Sequence, residues 1–127
     1  MENNRFLLDT HIFIWWMERN KRLKRKTLSL LNNPKAQIFL STISIWEMLI
    51  KAGKNKLEID TDIEDGVRRS GFTILPLTIS HVLKVKSLPP HHNDPFDRIL
   101  IAQAQSENLT FITDDKKMER YNVTLFS

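Results

Sequence analysis

The chain of 127 residues is long enough for one hydrophobic core, and we expect a single domain over residues 1–127. It is 41% hydrophobic and 27% charged, which excludes a disordered composition, and it has no cysteine, which excludes disulfides and thiolate chemistry. No apolar run approaches the ~20 residues of a membrane span, and residues 1–5 do not resemble a signal peptide, so we expect a cytoplasmic protein with no membrane contact. The net charge of +4 permits nucleic-acid binding without requiring it. The basic run over residues 19–26 is either a solvated surface or a phosphate-contacting patch.

The first half of the chain alternates strand and helix patterns. Residues 5–8 are an apolar run before an acid, which predicts a strand. Residues 10–17 are too apolar for an exposed helix and predict a buried one, and residues 24–31 predict a second helix. Residues 37–40 predict a second strand. Residues 43–52 carry apolar side chains at a helical period and predict a third helix.

The middle of the chain has weaker patterns. Residues 60–69 predict a helix, residues 72–75 a short strand, and residues 80–86 another helix. Residues 89–93 begin with two prolines, which disrupt both helices and strands, and we expect a loop there.

The last third of the chain returns to clear alternation. Asp94 is expected to cap a helix over residues 95–107, because proline is favoured at the first helical position. Residues 110–112 and 123–126 predict strands, with a short helix over residues 116–120 between them. Strands that alternate with helices predict an α/β fold, a three-layer α/β/α sandwich around a mainly parallel sheet.

Four acids follow apolar stretches at predicted handovers to a helix, namely Asp9, Glu47, Asp97 and Asp115. If the strands are parallel, these handovers lie along one edge of the sheet, where ligand sites of open α/β sheets form. Converging carboxylates repel one another, so they must take up a proton or hold a cation. The sequence therefore predicts a divalent metal bound by oxygen ligands.

Helix capping is the alternative explanation for the same acids. Ser44 and Glu47 have the spacing of a capping box, and Asp94 and Asp97 are related in a similar way. Asp9 could cap the helix that follows it, and Asp115 could interact favourably with the dipole of the next helix. Capping alone does not require the acids to share one sheet edge, which favours a joint site.

Histidines and tryptophans give weaker signals. The pair His91 and His92 lies in a polar loop near an acid, so either could bind metal, but a role in ordering the loop is favoured. Trp15, Trp16 and Trp46 lie on apolar helix segments, and we expect them to pack in the core rather than to stack on bases.

Four motifs occur in order along the chain: L-L-D-T-H at residues 7–11, S-T-I-S-I-W-E at residues 41–47, H-N-D-P-F-D-R at residues 92–98 with I-A-Q-A after it, and T-D-D at residues 113–115. Together they span nearly the whole chain. In this respect the sequence resembles the PIN-domain family, and within it the VapC-type toxins of bacterial toxin–antitoxin pairs.

The resemblance implies a metal-dependent endoribonuclease that uses Mg²⁺ or Mn²⁺. Its acidic set would be Asp9, Glu47, Asp97 and Asp115, with Asp9, Asp97 and Asp115 as the metal ligands. A shift of one residue would replace Asp115 by Asp114, and the sequence leaves both open.

Five further residues would support these acids, namely Thr10, Ser44, Asp94, Arg98 and Thr113. The resemblance implies that the hydroxyls of Thr10 and Ser44 hydrogen-bond carboxylates or a water held by the metal. Asp94 is an additional acid that also suits a helix cap, and Arg98 would face either RNA phosphate or an acidic neighbour.

The resemblance also implies partners: an RNA substrate, a cognate antitoxin that binds a groove formed by residues 11–31, and a second copy in a homodimer. The alternative is a catalytically silent RNA- or protein-binding module of the same fold. A phosphatase of another α/β family is disfavoured, because the first strand lacks the second aspartate of a D-x-D motif.

Overall fold

A computed structural model describes residues 4–53 and 63–127, and over these residues five strands form one sheet. The strands are β1 (Arg5–Leu8), β2 (Gln37–Ser41), β3 (Thr73–Leu75), β4 (Thr110–Ile112) and β5 (Leu125–Phe126). Their order across the sheet is β3-β2-β1-β4-β5, and every neighbouring pair is parallel. The carboxyl ends of all five strands therefore meet at one edge of the sheet, as predicted.

Helices connect the strands. Within the described residues they are α1 (Thr10–Glu18), α2 (Arg25–Leu31), α3 (Thr42–Gly53), α4 (Ile63–Ser70), α5 (Ile79–Lys84) and α6 (Pro95–Glu107). Short 3₁₀ turns cover Val85–Ser87 and Lys116–Arg120. None of these helices is long and apolar enough to cross a membrane.

Two apolar clusters cover the two faces of the sheet. Side chains alternate along a strand, so Leu7 of β1 joins one cluster with Leu100 of α6, whereas Leu8 joins the other with Phe13 of α1. Parallel sheets need helices on both faces, and this arrangement is the predicted three-layer α/β/α sandwich.

The predicted boundaries hold within a few residues, with physical reasons for the differences. The last strand was expected from residue 123 but begins at Leu125, and the helix expected over residues 80–86 tightens into a 3₁₀ turn at Val85. Part of the helix expected over residues 60–69 lies outside the described residues, and α4 ends before Gly71, whose positive φ of 69° favours glycine. The loop after Pro89 is confirmed.

The capping predictions divide. Asp94 caps α6, because its Oδ1 accepts from the amides of Phe96 (2.8 Å) and Asp97 (3.4 Å). Asp9 precedes α1 but makes no side-chain cap hydrogen bond. The Ser44–Glu47 capping box is wrong, because α3 already begins at Thr42 and both residues lie inside the helix.

We predict that Leu7→Ala lowers the free energy of unfolding by about 2–5 kcal/mol, because Leu7 is fully buried in the central strand. The matched control is Leu49→Ala on α3, whose side chain is 55% exposed, and we expect a loss within about 0.5 kcal/mol. Urea unfolding of both variants measures the difference. Equal losses would contradict the assignment of Leu7 to the core.

Candidate active site

Asp9 ends the central strand and is held from the neighbouring strand. Its carboxylate is 5% exposed, and its Oδ2 accepts a 2.7 Å hydrogen bond from Oγ1 of Thr113, which follows β4. Burial raises the pKa of Asp9, and the charge of Glu47 adds to this, although the hydrogen bond from Thr113 and the charge of His11 oppose the rise. The fold therefore holds a carboxyl that resists ionisation at the carboxyl edge of the sheet.

Glu47 is the second buried acid. It lies on α3 with 2% exposure, and its Oε2 accepts a hydrogen bond from Nζ of Lys51 one turn further along. Its Oε1 is buried and has no hydrogen-bond partner among the residues that the structure describes. Burial lowers the pKa of Lys51, but the hydrogen bond and charge of Glu47, with the charges of Asp94 and Asp97, outweigh it and raise that pKa. A buried carboxylate oxygen with no partner is costly unless a ligand or ion supplies one.

His92 joins two of the acids. Its Nε2 lies 3.2 Å from Oδ2 of Asp97 and 3.3 Å from Oδ2 of Asp115. Its Nδ1 accepts a 3.1 Å hydrogen bond from the amide of Asp94, so in the neutral ring the proton is on Nε2 and is donated to the carboxylates. Nδ1 of His92 therefore helps to order the loop, as predicted, and Nε2 contacts the carboxylates of Asp97 and Asp115.

Asp97 lies among the other acids and is itself partly buried. Burial, followed by the charges of Asp9, Asp94, Glu47 and Asp115, raises its pKa to about 8. At neutral pH such a carboxyl is protonated unless a cation takes the place of the proton. Ligand atoms of His92, Asp97 and Asp115 all lie within 4.8 Å of one another, which is close enough to share one ion.

The two candidates for the fourth acid, Asp114 and Asp115, line the same cavity but make different contacts. The amide of Asp115 donates to Oγ1 of Thr113 (3.1 Å), so the threonine links Asp115 to Asp9. Asp115 also caps the following 3₁₀ turn by accepting from the amide of Lys117 (3.0 Å). Asp114 forms an exposed ion pair with Lys24 (3.2 Å). Asp115 is therefore connected to Asp9 through Thr113, whereas Asp114 forms an ion pair with Lys24 at the surface.

Three supporting residues make contacts other than those the resemblance implied. Oγ1 of Thr10 donates to Oγ of Ser44 (2.8 Å), so these buried hydroxyls join α1 to α3. The guanidinium of Arg98 donates to the backbone carbonyls of Val85, Leu88 and Pro89. Arg98 thus braces the loop before α6 in this structure.

A cavity of about 360 Å³ opens at this edge. It is lined by Asp9, His11, Ile12, Trp15, His92, Asp97, Asp114, Asp115 and Lys117. A larger cavity, of about 810 Å³, lies beside Asn108 and Val123 near the start of β4 and β5, and none of the candidate acids lines it. The smaller cavity is therefore the one with the chemistry of a metal site.

Sequence reasoning missed two features of the site. The sequence predictions did not include Lys51, although its spacing of four residues from Glu47 on a helix is a signal for an ion pair. The core prediction for Trp46 is wrong, because its ring is 56% exposed and packs edge-on against Phe96 (centroids 5.4 Å apart). Trp15 is half-buried and lines the acid cavity.

Comparison with known proteins identifies the class. The sequence model of the PIN domain matches residues 6–123, so the chain belongs to the PIN domain family. No sequence among curated proteins matches it.

Solved structures share the fold. The chain is similar to VapBC2 from Rickettsia felis bound to a promoter DNA fragment, with a TM-score of 0.72 at 17% identity over 96% of this chain and 97% of that one. DNA-bound VapBC from Salmonella typhimurium gives 0.68 at 17% over 96% of both chains, and a toxin–antitoxin complex from Klebsiella pneumoniae gives 0.67 at 20% over 95% of both. At these identities the likeness shows the fold.

We predict that the acid cluster makes stability depend on pH in the presence of chelator. Between the ordinary carboxyl pKa of about 4 and the pKa of about 8 of Asp97, the folded protein binds a proton that the unfolded chain has released. Stability from this group is therefore present at low pH and is lost as pH rises towards about 8. Asp97→Asn removes the effect, so the variant should melt above the wild type at about pH 9 and lose this advantage at about pH 5.

Thermal melting in chelator at both pH values tests this. The control is Asp65→Asn, which removes an exposed carboxylate paired with Arg69 and should not change the pH dependence. An advantage of Asp97→Asn that is the same at both pH values would contradict the prediction.

Proposed function

We propose that the protein is a metal-dependent endoribonuclease, the toxin of a toxin–antitoxin pair, which hydrolyses RNA phosphodiester bonds with Mg²⁺ or Mn²⁺. The observation that supports this most strongly is that Asp9, Asp97 and Asp115 line one cavity, where burial and the charges of neighbouring acids raise the pKa of Asp97 to about 8. Membership of the PIN domain family and the likeness to VapBC structures add support.

The donor set suits a hard divalent cation. Asp9, Asp97 and Asp115 would hold it through carboxylate oxygens. Glu47 is close enough for its charge to raise the pKa of Asp97, and its Oε1, which has no hydrogen-bond partner among the described residues, is a further acceptor. When bound, the cation would acidify a water and neutralise charge on the phosphate that is cut.

The chain's own residues would orient the reactants. Thr113 fixes one oxygen of Asp9, and Lys51 fixes one oxygen of Glu47. Within the described part of the chain the other oxygen of Glu47 has no hydrogen-bond partner, so it could accept the proton of the attacking water. The Nε2–H of His92 would position Asp97 and Asp115 until a cation binds their oxygens. Hydrolysis by water leaves 5′-phosphate and 3′-hydroxyl ends.

The proposed partners are unpaired RNA, a cognate antitoxin and a second copy of the chain in a cytoplasmic homodimer. A cavity of about 400 Å³ between α1, α2 and α4 has both apolar and arginine lining, including Trp16, Leu28 and Arg69, and is a candidate seat for the antitoxin. Ile79, Val82 and Leu83 of α5 are exposed apolar side chains that a second copy could cover.

We predict that the purified protein cuts RNA in Mg²⁺ or Mn²⁺ and not in chelator. Asp9→Asn and Asp97→Asn should each lower the rate by at least about 100-fold, because a lost carboxylate ligand removes several kcal/mol of charge stabilisation. The control Asp65→Asn changes an exposed acid on α4 and should cut like the wild type. Cleavage of total RNA and transfer RNA, followed by gel, measures the rates.

Cutting that survives both substitutions would contradict the proposed site. The same holds for cutting that continues at an unchanged rate in chelator. Absence of both cutting and stabilisation by Mn²⁺ would favour the silent binding module.

We predict that Asp115 and not Asp114 supplies the fourth acid. Asp115→Asn should weaken the stabilisation of the fold by Mn²⁺ about 10- to 100-fold in apparent affinity, since Asp115 shares His92 with Asp97. Asp114 also lines the cavity, but its carboxylate pairs with Lys24 and not with His92, so Asp114→Asn should leave that affinity within about threefold. Melting temperatures over a Mn²⁺ series measure both, and the reverse ranking would assign the site to Asp114.

A further inference from the structure

The acid cavity has an aromatic side as well as an acidic one. His11 and Trp15 of α1 line it together with Asp9 and Asp97. Their ring centroids lie 6.4 Å apart at an interplanar angle of 62°. His11 is exposed and Trp15 is half-buried, so both rings keep surface that a ligand can cover.

Core packing does not account for Trp15 as it does for its neighbour. Trp16 packs against Phe13 and Phe72, with ring centroids 5.8 Å and 5.3 Å away. Trp15 also packs against this apolar cluster, but its ring contacts His11 and lines the acid cavity. Trp15 therefore offers ring surface beside the acids, and Trp16 does not line that cavity.

The spacing along α1 matches the parts of a nucleotide. Asp9 immediately precedes the helix, His11 lies in its first turn, and Trp15 lies one turn beyond His11. At 1.5 Å per residue, Trp15 is about 9 Å from Asp9 along the helix axis. A phosphate at the acids therefore leaves room for a base of the same strand at the aromatic side. The cavity of about 360 Å³ falls within the range of small-ligand sites, about 300–1,000 Å³.

The charge of the cavity is also divided. Lys117 lines it and is exposed, and its backbone amide is hydrogen-bonded to Asp115. Its ammonium can approach the sugar–phosphate chain of a bound strand, next to the acids that need a cation. The ring surface of His11 and Trp15 lies on α1, and none of the acids that line the cavity is part of that helix.

We propose that His11 and Trp15 form a base-stacking surface, which binds an unpaired nucleobase of an RNA strand next to the phosphate at the acids. This inference rests on the proposed function and names how its substrate is held. Stacking on aromatic rings tolerates any base and requires that the base be unstacked from its neighbours, so it selects single-stranded or loop RNA.

Binding to two matched probes tests this without any cleavage. One probe is a short oligoadenylate, and the other is the same ribose–phosphate chain without bases. All proteins carry Asp97→Asn, which by the proposed function prevents cutting. Fluorescence anisotropy measures affinity for Trp15→Leu, which keeps apolar bulk, and for Trp15→Phe, which keeps a ring.

We expect Trp15→Leu to weaken oligoadenylate binding by about tenfold, and Trp15→Phe by no more than about threefold. Neither variant should change binding of the abasic chain by more than about twofold, because stacking needs a base. His11→Ala should also weaken oligoadenylate selectively, and since His11 is exposed, this second variant does not depend on core packing. The control His91→Ala changes a ring that packs on Tyr121 outside the cavity lining, and it should bind both probes unchanged.

Three results would overturn the proposal: equal loss of both probes, no loss with either the Trp15 or the His11 variant, or no binding of oligoadenylate at all. Loss of binding to a protein partner with RNA binding intact would assign the rings to that partner and would also overturn it. Cleavage by the chain without Asp97→Asn is measured separately, so failure of stacking and failure of the nuclease function give different results.

Discussion

Repulsion among carboxylates held at one edge of a rigid sheet is the constraint on which the rest of the site depends. Asp9 directly follows the central strand and is buried. Glu47 on α3 and Asp97 on α6 lie close enough for their charges to interact with it. The apolar clusters on both faces of the sheet fix these elements, so the acids cannot move apart without unpacking the core. The acids at this edge must therefore take up protons or a cation, and the proposed function assigns a divalent cation to them.

Neighbouring polar groups restrain the acids without satisfying them. Thr113 donates to one oxygen of Asp9, Lys51 to one oxygen of Glu47, and His92 to one oxygen each of two other acids. Each contact fixes an orientation and leaves oxygen atoms available for a ligand. Such partial satisfaction is expensive in a core and is found where a site is preorganised, because stability is exchanged for a fixed geometry.

The sequence was sufficient for the parts that follow from local chemistry. A run of apolar residues that ends in an acid indicated where strands stop, and parallel pairing then required Asp9 and Asp115 to lie at the same edge. Asp94 was identified as a cap from its position before Pro95. These inferences need only strand direction and helix-end chemistry, which short windows of sequence contain.

Contacts that join distant segments could not be predicted in this way. Arg98 reaches back to three carbonyls of the preceding loop, and the sequence does not reveal that loop's path. Trp46 lies in an apolar run, which predicts a core position, but on α3 its side chain is exposed and its ring packs against Phe96. Helix boundaries decide such cases, since a shift of one residue rotates a side chain by about 100° around the helix.

The measurement that tests the central claim most directly is calorimetric titration of Mn²⁺ into the wild type, Asp97→Asn and Asp65→Asn at the same pH. The account predicts saturable binding to the wild type and to Asp65→Asn, and loss of binding in Asp97→Asn, because only Asp97 belongs to the crowded set at the sheet edge. Binding that is equal in all three proteins, or absent from the wild type, would contradict a metal site built from these acids.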